Sequence, residues 1–140
     1  DNFSQSAHYF NTFGGNPVSC AAGLAVLDVI EKEGLQDHAL EVGLYLNAGI
    51  NELALRHPAI GDLRGEGLFK SIEMVKDRET REPHSDLAPR LVNALRERRI
   101  LLGLTGVDNN ILKLRPPMVF TKKHADNFLQ VFDEVLVAST

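Results

Sequence analysis

A glycine-rich loop stands directly before the first predicted helix and is a candidate anion site. Thr12-Phe13-Gly14-Gly15 combines a hydroxyl with two glycines that let the backbone come close to a ligand. Asn16 and Pro17 follow, a favoured N-cap and a favoured first helical residue. Free backbone N–H groups at such a helix start, with the positive end of the helix dipole, can bind an anion. The same residues also suit a plain capped turn, and residue types alone favour the turn.

Lys113 and Arg115 form a second candidate site. They flank Leu114 in a predicted strand, so strand alternation puts both cationic side chains on the same face. Two neighbouring cations repel each other unless they face water or bind an anion. The pair therefore indicates either a solvated sheet face or an anion-binding site, and both interpretations stay open on residue types alone.

No other combination of residues indicates a metal site or a nucleophile. Cys20 is the single cysteine, which excludes an internal disulfide, and it lies in an apolar run where a buried, unreactive thiol is expected. No nucleophile elbow is present, and the neighbouring acidic pairs are typical of surface charges. The histidines, none at metal-ligand spacing, are His8, His38, His57, His84 and His124. The sequence therefore predicts no metal site.

The composition is that of an ordinary globular domain. Of the 140 residues, 44% are hydrophobic and 24% are charged, and the net charge is −4. The basic residues are scattered, which argues against nucleic-acid binding. No signal peptide and no apolar stretch of membrane-spanning length appears, so we expect a cytoplasmic location and no membrane insertion. The irregular lead that begins at Asp1 predicts a piece of a longer protein.

Two helices are predicted in the first part of the chain. The first runs from Pro17 to about residue 33, and Gly34 is a natural stop. Its first half is small and apolar on every side, which predicts close packing on another surface or a place at an interface. The second spans roughly 35–56, carries one apolar stripe and ends at His57-Pro58.

The remaining chain is predicted to mix strands with helices. Residues 68–75 alternate with the period of a strand, and the glycines Gly61, Gly65 and Gly67 before them predict a tight turn or bulge. The other predicted elements are a charged loop at 76–86, a helix at 87–99, strands at 100–102 and 111–114 around a turn at 103–110, and a last helix capped by Thr121. This order predicts an α+β domain: a small, mostly antiparallel sheet with helices on one face, preceded by two helices.

Three segments change the balance between these interpretations when they are considered together. They are FNTFGGNPVSCAAGLAVLDVIEKEGLQ (10–36), HPAIGDLRGEGLFKSIEMVKDRET (57–80) and ILKLRPPMVFTKKHADNFLQVFDEVL (111–136). In order and spacing they resemble the C-terminal third of class III aminotransferases, and the T-F-G-G-N-P and G-D-L-R-G-x-G-L blocks are the most specific. The similarity is greatest to the branch that holds alanine–glyoxylate aminotransferase-like proteins and phospho-lyases.

The resemblance implies the C-terminal portion of a pyridoxal-phosphate (PLP) transferase fold of the aspartate-aminotransferase type, active as a homodimer. It assigns residues 1–34 to the parent's large domain, 35–57 to a connecting helix and 58–140 to the small C-terminal domain. By the same resemblance, Thr12 and Phe13 bind the cofactor, with the Thr12 hydroxyl reaching the phosphate of the neighbouring subunit's PLP. PLP is therefore the expected cofactor of the parent protein.

At Lys113 the chain departs from many members of this family, which have an arginine that binds the substrate carboxylate with two parallel hydrogen bonds. A lysine offers a point charge without that geometry. Arg115 stands where many relatives have a small residue, whereas the phospho-lyase branch has lysine at the first position and a second cation at the other. The resemblance thus implies Lys113 and Arg115 as substrate-binding residues, for a phosphate or a differently placed carboxylate.

The resemblance implies no catalytic residue in this chain. In the family, PLP forms a Schiff base with a lysine upstream of this segment, and the lysines of the chain match other positions. The expected function is that of a segment, inactive alone, of an aminotransferase that moves an amino group between an amine or amino acid and a keto acid. Two alternatives stay open: a PLP-dependent phospho-lyase of the same family, and a non-catalytic α+β domain that binds a ligand or another protein.

Overall fold

The computed structural model describes residues 5–6 and 8–139. The chain divides into two compact units, Asp1–Gly34 and Leu35–Thr140. Part of the irregular lead expected at residues 1–16 lies outside the described residues. The assignment of 1–34, 35–57 and 58–140 to three parts of a larger parent stays a prediction.

The first unit contains helix α1 (Pro17–Lys32), which begins and ends as its local sequence predicts. The Asn16 side chain accepts a hydrogen bond from the Ser19 N–H at 2.9 Å, and Pro17 fills the first helical position. After the helix, Gly34 adopts φ of +60°, a left-handed conformation that suits glycine. No residue of α1 is buried. Its small and apolar side chains are therefore exposed, including Val18, Leu24 and Leu27.

The second unit is built on a four-stranded antiparallel sheet in the order β1-β2-β4-β3. Its elements along the chain are α2 (Leu35–Arg56), β1 (Ile60–Glu66), β2 (Phe69–Met74), α3 (Leu87–Glu97), β3 (Gly103–Thr105), β4 (Ile111–Leu114) and α4 (Lys122–Ser139). The α+β class, the antiparallel sheet and the two preceding helices are as predicted.

The hydrophobic core lies between one face of the sheet and the helices α2, α3 and α4. Strand alternation directs Ile72 and Met74 of β2 and Leu112 of β4 into this core, where all three are fully buried. Phe132 of α4 fills its centre and stacks on Phe128 at 5.3 Å between ring centroids. None of the described helices of the second unit packs on the opposite face of the sheet, whose side chains are half-buried or exposed.

Two strand boundaries differ from the sequence-based prediction. Residues 100–102, predicted as a strand, belong to none, and the edge strand is Gly103–Thr105 within the predicted turn. Residues 60–66, predicted only as a turn or bulge, form β1, with the bulge at Gly61. The two missed strands have the same cause: glycines and charges lower the local strand propensity, and pairing with a neighbouring strand overrides it. Residues 100–102 are apolar, but the pairing with β4 begins only at Gly103.

Polar contacts join the end of α2 to the sheet and to α4. The Arg78 guanidinium donates to the carbonyls of Ala54 and His57 at the end of α2, and to that of Ile60 at 3.0 Å. Unpaired carbonyls at a helix end are thereby satisfied. His57, which is buried, hydrogen-bonds through Nε2 to Asp133 Oδ1 of α4 at 2.6 Å.

Candidate functional site

The candidate substrate site lies on the open face of the sheet, which is the face turned away from the helices. One row of side chains crosses this face in register from β1 to β3: Arg64, Ser71, Lys113 and Gly103. In the antiparallel pairing these residues lie directly opposite each other on neighbouring strands, so their side chains are in contact range. Lys113 therefore occupies the centre of a row that has only a hydroxyl and a glycine as its immediate neighbours.

Gly103 leaves the space in which the Lys113 side chain lies. A Cβ atom built on Gly103 would stand 3.1 Å from Lys113 Cε and 3.5 Å from its Nζ. Carbon atoms normally approach no closer than about 3.5–4.0 Å, so any side chain at position 103 would displace the end of the lysine. The half-buried side chain of Lys113 makes no hydrogen bond or ion pair with any residue that the structure describes. Its ammonium is available to an external anion.

Arg115 follows the last residue of β4 and is not part of the strand, which ends at Leu114. Its guanidinium carbon lies 4.4 Å from the ring centroid of Phe69, an exposed side chain on the open face of β2. Such a cation–π contact fixes the position of the guanidinium and leaves its N–H groups free to donate. Arg115 forms no ion pair within the described part of the chain. Lys113 and Arg115 are thus two unneutralised cations on neighbouring rows of one sheet face.

Arg64 keeps the acidic groups of the open face away from these cations. It forms ion pairs with Asp62 at 2.8 Å and with Glu73 at 2.7 Å. The hydrogen bond that Arg64 donates to Glu73 is the largest cause of the raised pKa of Arg64. Glu73 sits diagonally from Lys113 across β2 and β4, so without Arg64 its carboxylate could approach the lysine.

Lys70 is a lysine that faces the core. It alternates with Phe69 and Ser71 and lies on the same side of β2 as Ile72, with 2% of its surface exposed. Burial lowers its pKa, and its ammonium donates to the Gly65 carbonyl oxygen at 3.0 Å. The direction of its side chain excludes it from the open face that carries Lys113.

The proposed cofactor residues Thr12 and Phe13 lie in the first unit, and Lys113 and Arg115 lie in the second. Both loop residues are exposed. Within the loop, Asn11 Oδ1 accepts hydrogen bonds from the N–H groups of Phe13 at 3.2 Å and of Gly14 at 2.9 Å. These two N–H groups are therefore occupied within the loop, because an asparagine side chain bonds readily to backbone two or three residues ahead.

Two groups of this loop can still bind an anion. Neither the Thr12 hydroxyl nor the Gly15 N–H has a hydrogen-bond partner among the described residues. Asn16, meanwhile, serves as the cap of α1 and also donates through Nδ2 to the Phe13 carbonyl at 2.7 Å. The loop is held in shape by its two asparagines and presents a hydroxyl and an N–H outward.

Other kinds of site are not found in the described residues. No group of three or more His, Cys, Asp and Glu side chains there could hold a metal ion. None of the helices in that part of the chain is both long and apolar enough to cross a membrane.

Sequence reasoning identified the two cations but missed the residues that position them. Gly103, Phe69 and Arg64 act through contacts with residues that are distant in the chain. Alternation along β2 alone was sufficient to place Phe69 on the face opposite Lys70. No signal in the sequence could have paired Gly103 with Lys113, because that requires the register of β3 on β4.

Comparisons with known proteins agree on one family. The family model described as "Aminotransferase class-III" matches residues 2–136. A Drosophila melanogaster protein named "Alanine--glyoxylate aminotransferase 2-like" is 49% identical over 131 residues, which cover 93% of this chain and 26% of that protein. A Caenorhabditis elegans protein named "Ethanolamine-phosphate phospho-lyase homolog 1" is 44% identical over 129 residues, covering 91% of this chain and 28% of the relative.

The solved structures give the same fold. A phospholyase from Arthrobacter in complex with phosphoethanolamine superposes with a TM-score of 0.88 and 39% identity, over 98% of this chain and 32% of the other. The chain therefore spans between a quarter and a third of the length of the relatives that it matches.

Proposed function

The chain belongs to the class III aminotransferase family, and from this premise we propose that it is the C-terminal segment of a PLP-dependent enzyme that transfers an amino group between an amine or amino acid and a keto acid. The family match over residues 2–136 is the observation that carries the proposal. Because the chain spans only part of its relatives, the activity belongs to the longer protein, and the lysine that bonds to the cofactor is expected outside this segment.

In this proposal Lys113 and Arg115 bind the anionic group of the substrate. Both cations lack an internal partner among the described residues, and Phe69 and Gly103 define where their charged ends lie. An anion that docks there gains charge-assisted hydrogen bonds without first breaking an ion pair. The substrate is thereby oriented by its acidic end, and its amino end points away from the sheet.

The residues of the loop before α1 fit a phosphate group. The Thr12 hydroxyl would donate to a phosphate oxygen of PLP, and the Gly15 N–H is an unoccupied backbone donor in the same loop. Phe13 supplies apolar surface beside it. When bound, PLP supplies the electron-withdrawing ring that weakens bonds at the carbon carrying the amino group. The chain contributes the binding of cofactor and substrate, not the proton transfers.

The working assembly in this proposal is a homodimer. The exposed apolar residues of α1, which no described part of its own unit covers, are the surface that supports it. A cytoplasmic location is also proposed, and fractionation of cells that express the full-length protein tests it, since one relative is named as mitochondrial.

A second reaction, the elimination of phosphate from a phosphorylated amine, is favoured by one specific observation. Lys113 offers a point charge where a carboxylate would be bound better by an arginine, and phosphate is bound well by a point charge next to a second cation. Two of the relatives with high similarity are named as phospho-lyases. The cofactor and the residues involved are the same for both reactions.

The two reactions are separated by one substitution. In the full-length enzyme, Lys113→Arg should restore a two-pronged carboxylate contact and lower KM for amino-acid donors if the enzyme is an aminotransferase. It should change little for phosphoethanolamine if the enzyme is a phospho-lyase. The measurement is kcat/KM for both substrate classes, with Lys76→Arg, a surface pair with Glu82, as the matched control.

Two results would count against the proposal. If neither Lys113→Arg nor Arg115→Ala alters kcat/KM for either substrate class, the cations are ordinary surface charges. If the full-length protein has no lysine that becomes labelled by PLP and borohydride, the alternative of a non-catalytic binding domain gains support.

A further inference from the structure

A cleft with a volume of about 650 Å³ lies beside the end of α3 and the start of α4, away from the residues of β2. Its floor is apolar and includes the buried side chains of Leu46, Leu114 and Phe128. A volume of this size is typical of small-molecule sites, which range over about 300–1,000 Å³. The size and the apolar floor indicate a ligand with an apolar body.

The rim of the cleft is positively charged. Arg99, Arg115 and Lys123 line it together with His124, and no acidic residue is among its described lining residues. This is unusual in a chain with 19 acidic and 15 basic residues. Arg99 and Lys123 also form no ion pair within the described part of the chain. An apolar floor with an unneutralised cationic rim is complementary to an amphiphilic anion.

His124 adds a hydrogen-bond donor to this rim. Its Nδ1 accepts from the Thr121 N–H at 3.1 Å, so in the neutral ring the proton resides on Nε2. The ring lies 5.4 Å from that of Phe120, another residue of the cleft, which limits its rotation.

Arg99 has a backbone conformation in which glycine is preferred. It follows the end of α3 with φ of +64°, and its N–H donates to the Arg96 carbonyl at 2.9 Å. The next N–H, of Ile100, donates to the Leu95 carbonyl at 2.9 Å. These two hydrogen bonds define a Schellman motif, a helix ending in which the residue with the left-handed conformation is usually glycine. An arginine in this position is strained, and its side chain projects into the rim of the cleft.

We propose that this cleft is a binding site for a soluble amphiphilic anion, a molecule with an apolar chain or ring and a terminal phosphate or carboxylate. The apolar part occupies the floor, and Arg99 and Lys123 bind the charged group. The strained backbone of Arg99 is retained at the cost of stability because its guanidinium serves this site. The inference does not depend on the proposed reaction.

The test is a titration of the full-length protein followed by NMR, with octyl phosphate as the probe. The expected Kd is on the order of 1 mM or lower for a ligand of this size. Octanol, which has no charge, and inorganic phosphate, which has no apolar chain, should each bind at least about tenfold more weakly if both features of the cleft are used. Equal binding of octanol would overturn the proposal, as would chemical-shift changes confined to residues outside the cleft.

Substitution of Arg99 separates function from stability. Arg99→Gly should raise Tm by a few degrees, because it removes left-handed strain, yet weaken octyl phosphate binding by about threefold to tenfold. Arg81 offers a matched control, since it has φ of +57°, is exposed and does not line the cleft. Arg81→Gly should raise Tm similarly and leave the Kd unchanged.

A second variant keeps the proposal testable if Arg99→Gly fails to fold. Lys123→Ala removes an exposed charge and should weaken octyl phosphate binding by a similar factor. Wild-type affinity in both variants would refute the site, because the anion would then have another location. Binding to vesicles that contain phosphatidic acid, without binding to octyl phosphate, would instead assign the charged rim to a membrane surface and would also overturn the proposal.

Discussion

The contact between Gly103 and Lys113 makes a strong prediction about the substrate site. Gly103→Ala adds one methyl group, whose carbon would lie 3.1 Å from Lys113 Cε. Gly103 does not have a positive φ, so the backbone accepts alanine without strain. In a strand, alanine is more favourable than glycine by roughly 0.5–1 kcal/mol. The fold should therefore survive, and any loss of activity arises from the displaced lysine.

The expected size of the effect follows from the distances. To restore an ordinary carbon–carbon contact, Cε must move by a few tenths of an ångström, and the ammonium moves with it. A shift of this size lengthens a charge-assisted hydrogen bond of about 2.8 Å beyond its favourable range. Complete loss of such a bond, as in Lys113→Ala, costs about 1.5–3 kcal/mol, or roughly 10- to 150-fold in binding. Gly103→Ala should raise KM by a part of this, about threefold to tenfold.

The assay is steady-state kinetics of the full-length enzyme with an anionic substrate, in a double-mutant cycle. KM should rise in Gly103→Ala with little change in kcat, because in its proposed role the lysine binds the substrate and does not react. In the Lys113→Ala background, Gly103→Ala should have no further effect, since the atom with which it collides is absent. Thermal unfolding of the same variants supplies the stability control.

Additivity of the two substitutions would refute this reasoning. If Gly103→Ala raises KM by the same factor with and without the Lys113 side chain, glycine acts through the edge strand itself and not through the lysine. An unchanged KM in the single variant would show that the ammonium relocates without loss of substrate contact.

Three further predictions concern the other polar groups. Thr12→Ala in the full-length enzyme should weaken PLP binding by about 1.5–3 kcal/mol, measured as a PLP dissociation constant, and an unchanged constant would exclude the role of the hydroxyl. The hydrogen bond from His57, and to a smaller extent that from Arg56, holds the pKa of Asp133 below its usual range. The stability that these bonds contribute is therefore present above about pH 4, and it is lost as the pH falls through the lowered pKa. In urea unfolding, Asp133→Asn should lower the free energy of unfolding at pH 7 by about 1.5–3 kcal/mol and reduce its dependence on acidic pH. A variant as acid-sensitive as the wild type would contradict this prediction. Because burial lowers the pKa of Lys70, its charge penalises the fold at neutral pH, and the penalty is relieved as the pH rises through the lowered pKa towards about 10.4. Lys70→Met should therefore stabilise the chain at pH 7 by on the order of 1 kcal/mol in the same assay. A less stable variant would contradict this prediction and show that the bond to the Gly65 carbonyl outweighs desolvation.

The elements with local determinants were predictable from the sequence. Asn16 and Pro17 start α1 and Gly34 follows its end, because capping and left-handed conformations depend on a few consecutive residues. Alternation in β2 was sufficient to place Lys70 on the same side as Ile72, so the burial of this lysine was implicit in the pattern. The two cations of the candidate site were also identified, because their type and spacing are visible in the chain.

The strands β1 and β3 and the environment of the cations were decided only by the tertiary structure. Gly103–Thr105 is a strand because β4 provides its hydrogen-bond partners, not because of its own residues. The contacts of Lys113 with Gly103, of Arg115 with Phe69 and of Arg64 with Glu73 all depend on strand pairing or on packing across the sheet. Register between strands is set jointly by the core face and the turns, so a pattern within one segment predicts which face a side chain occupies but not which side chain lies beside it.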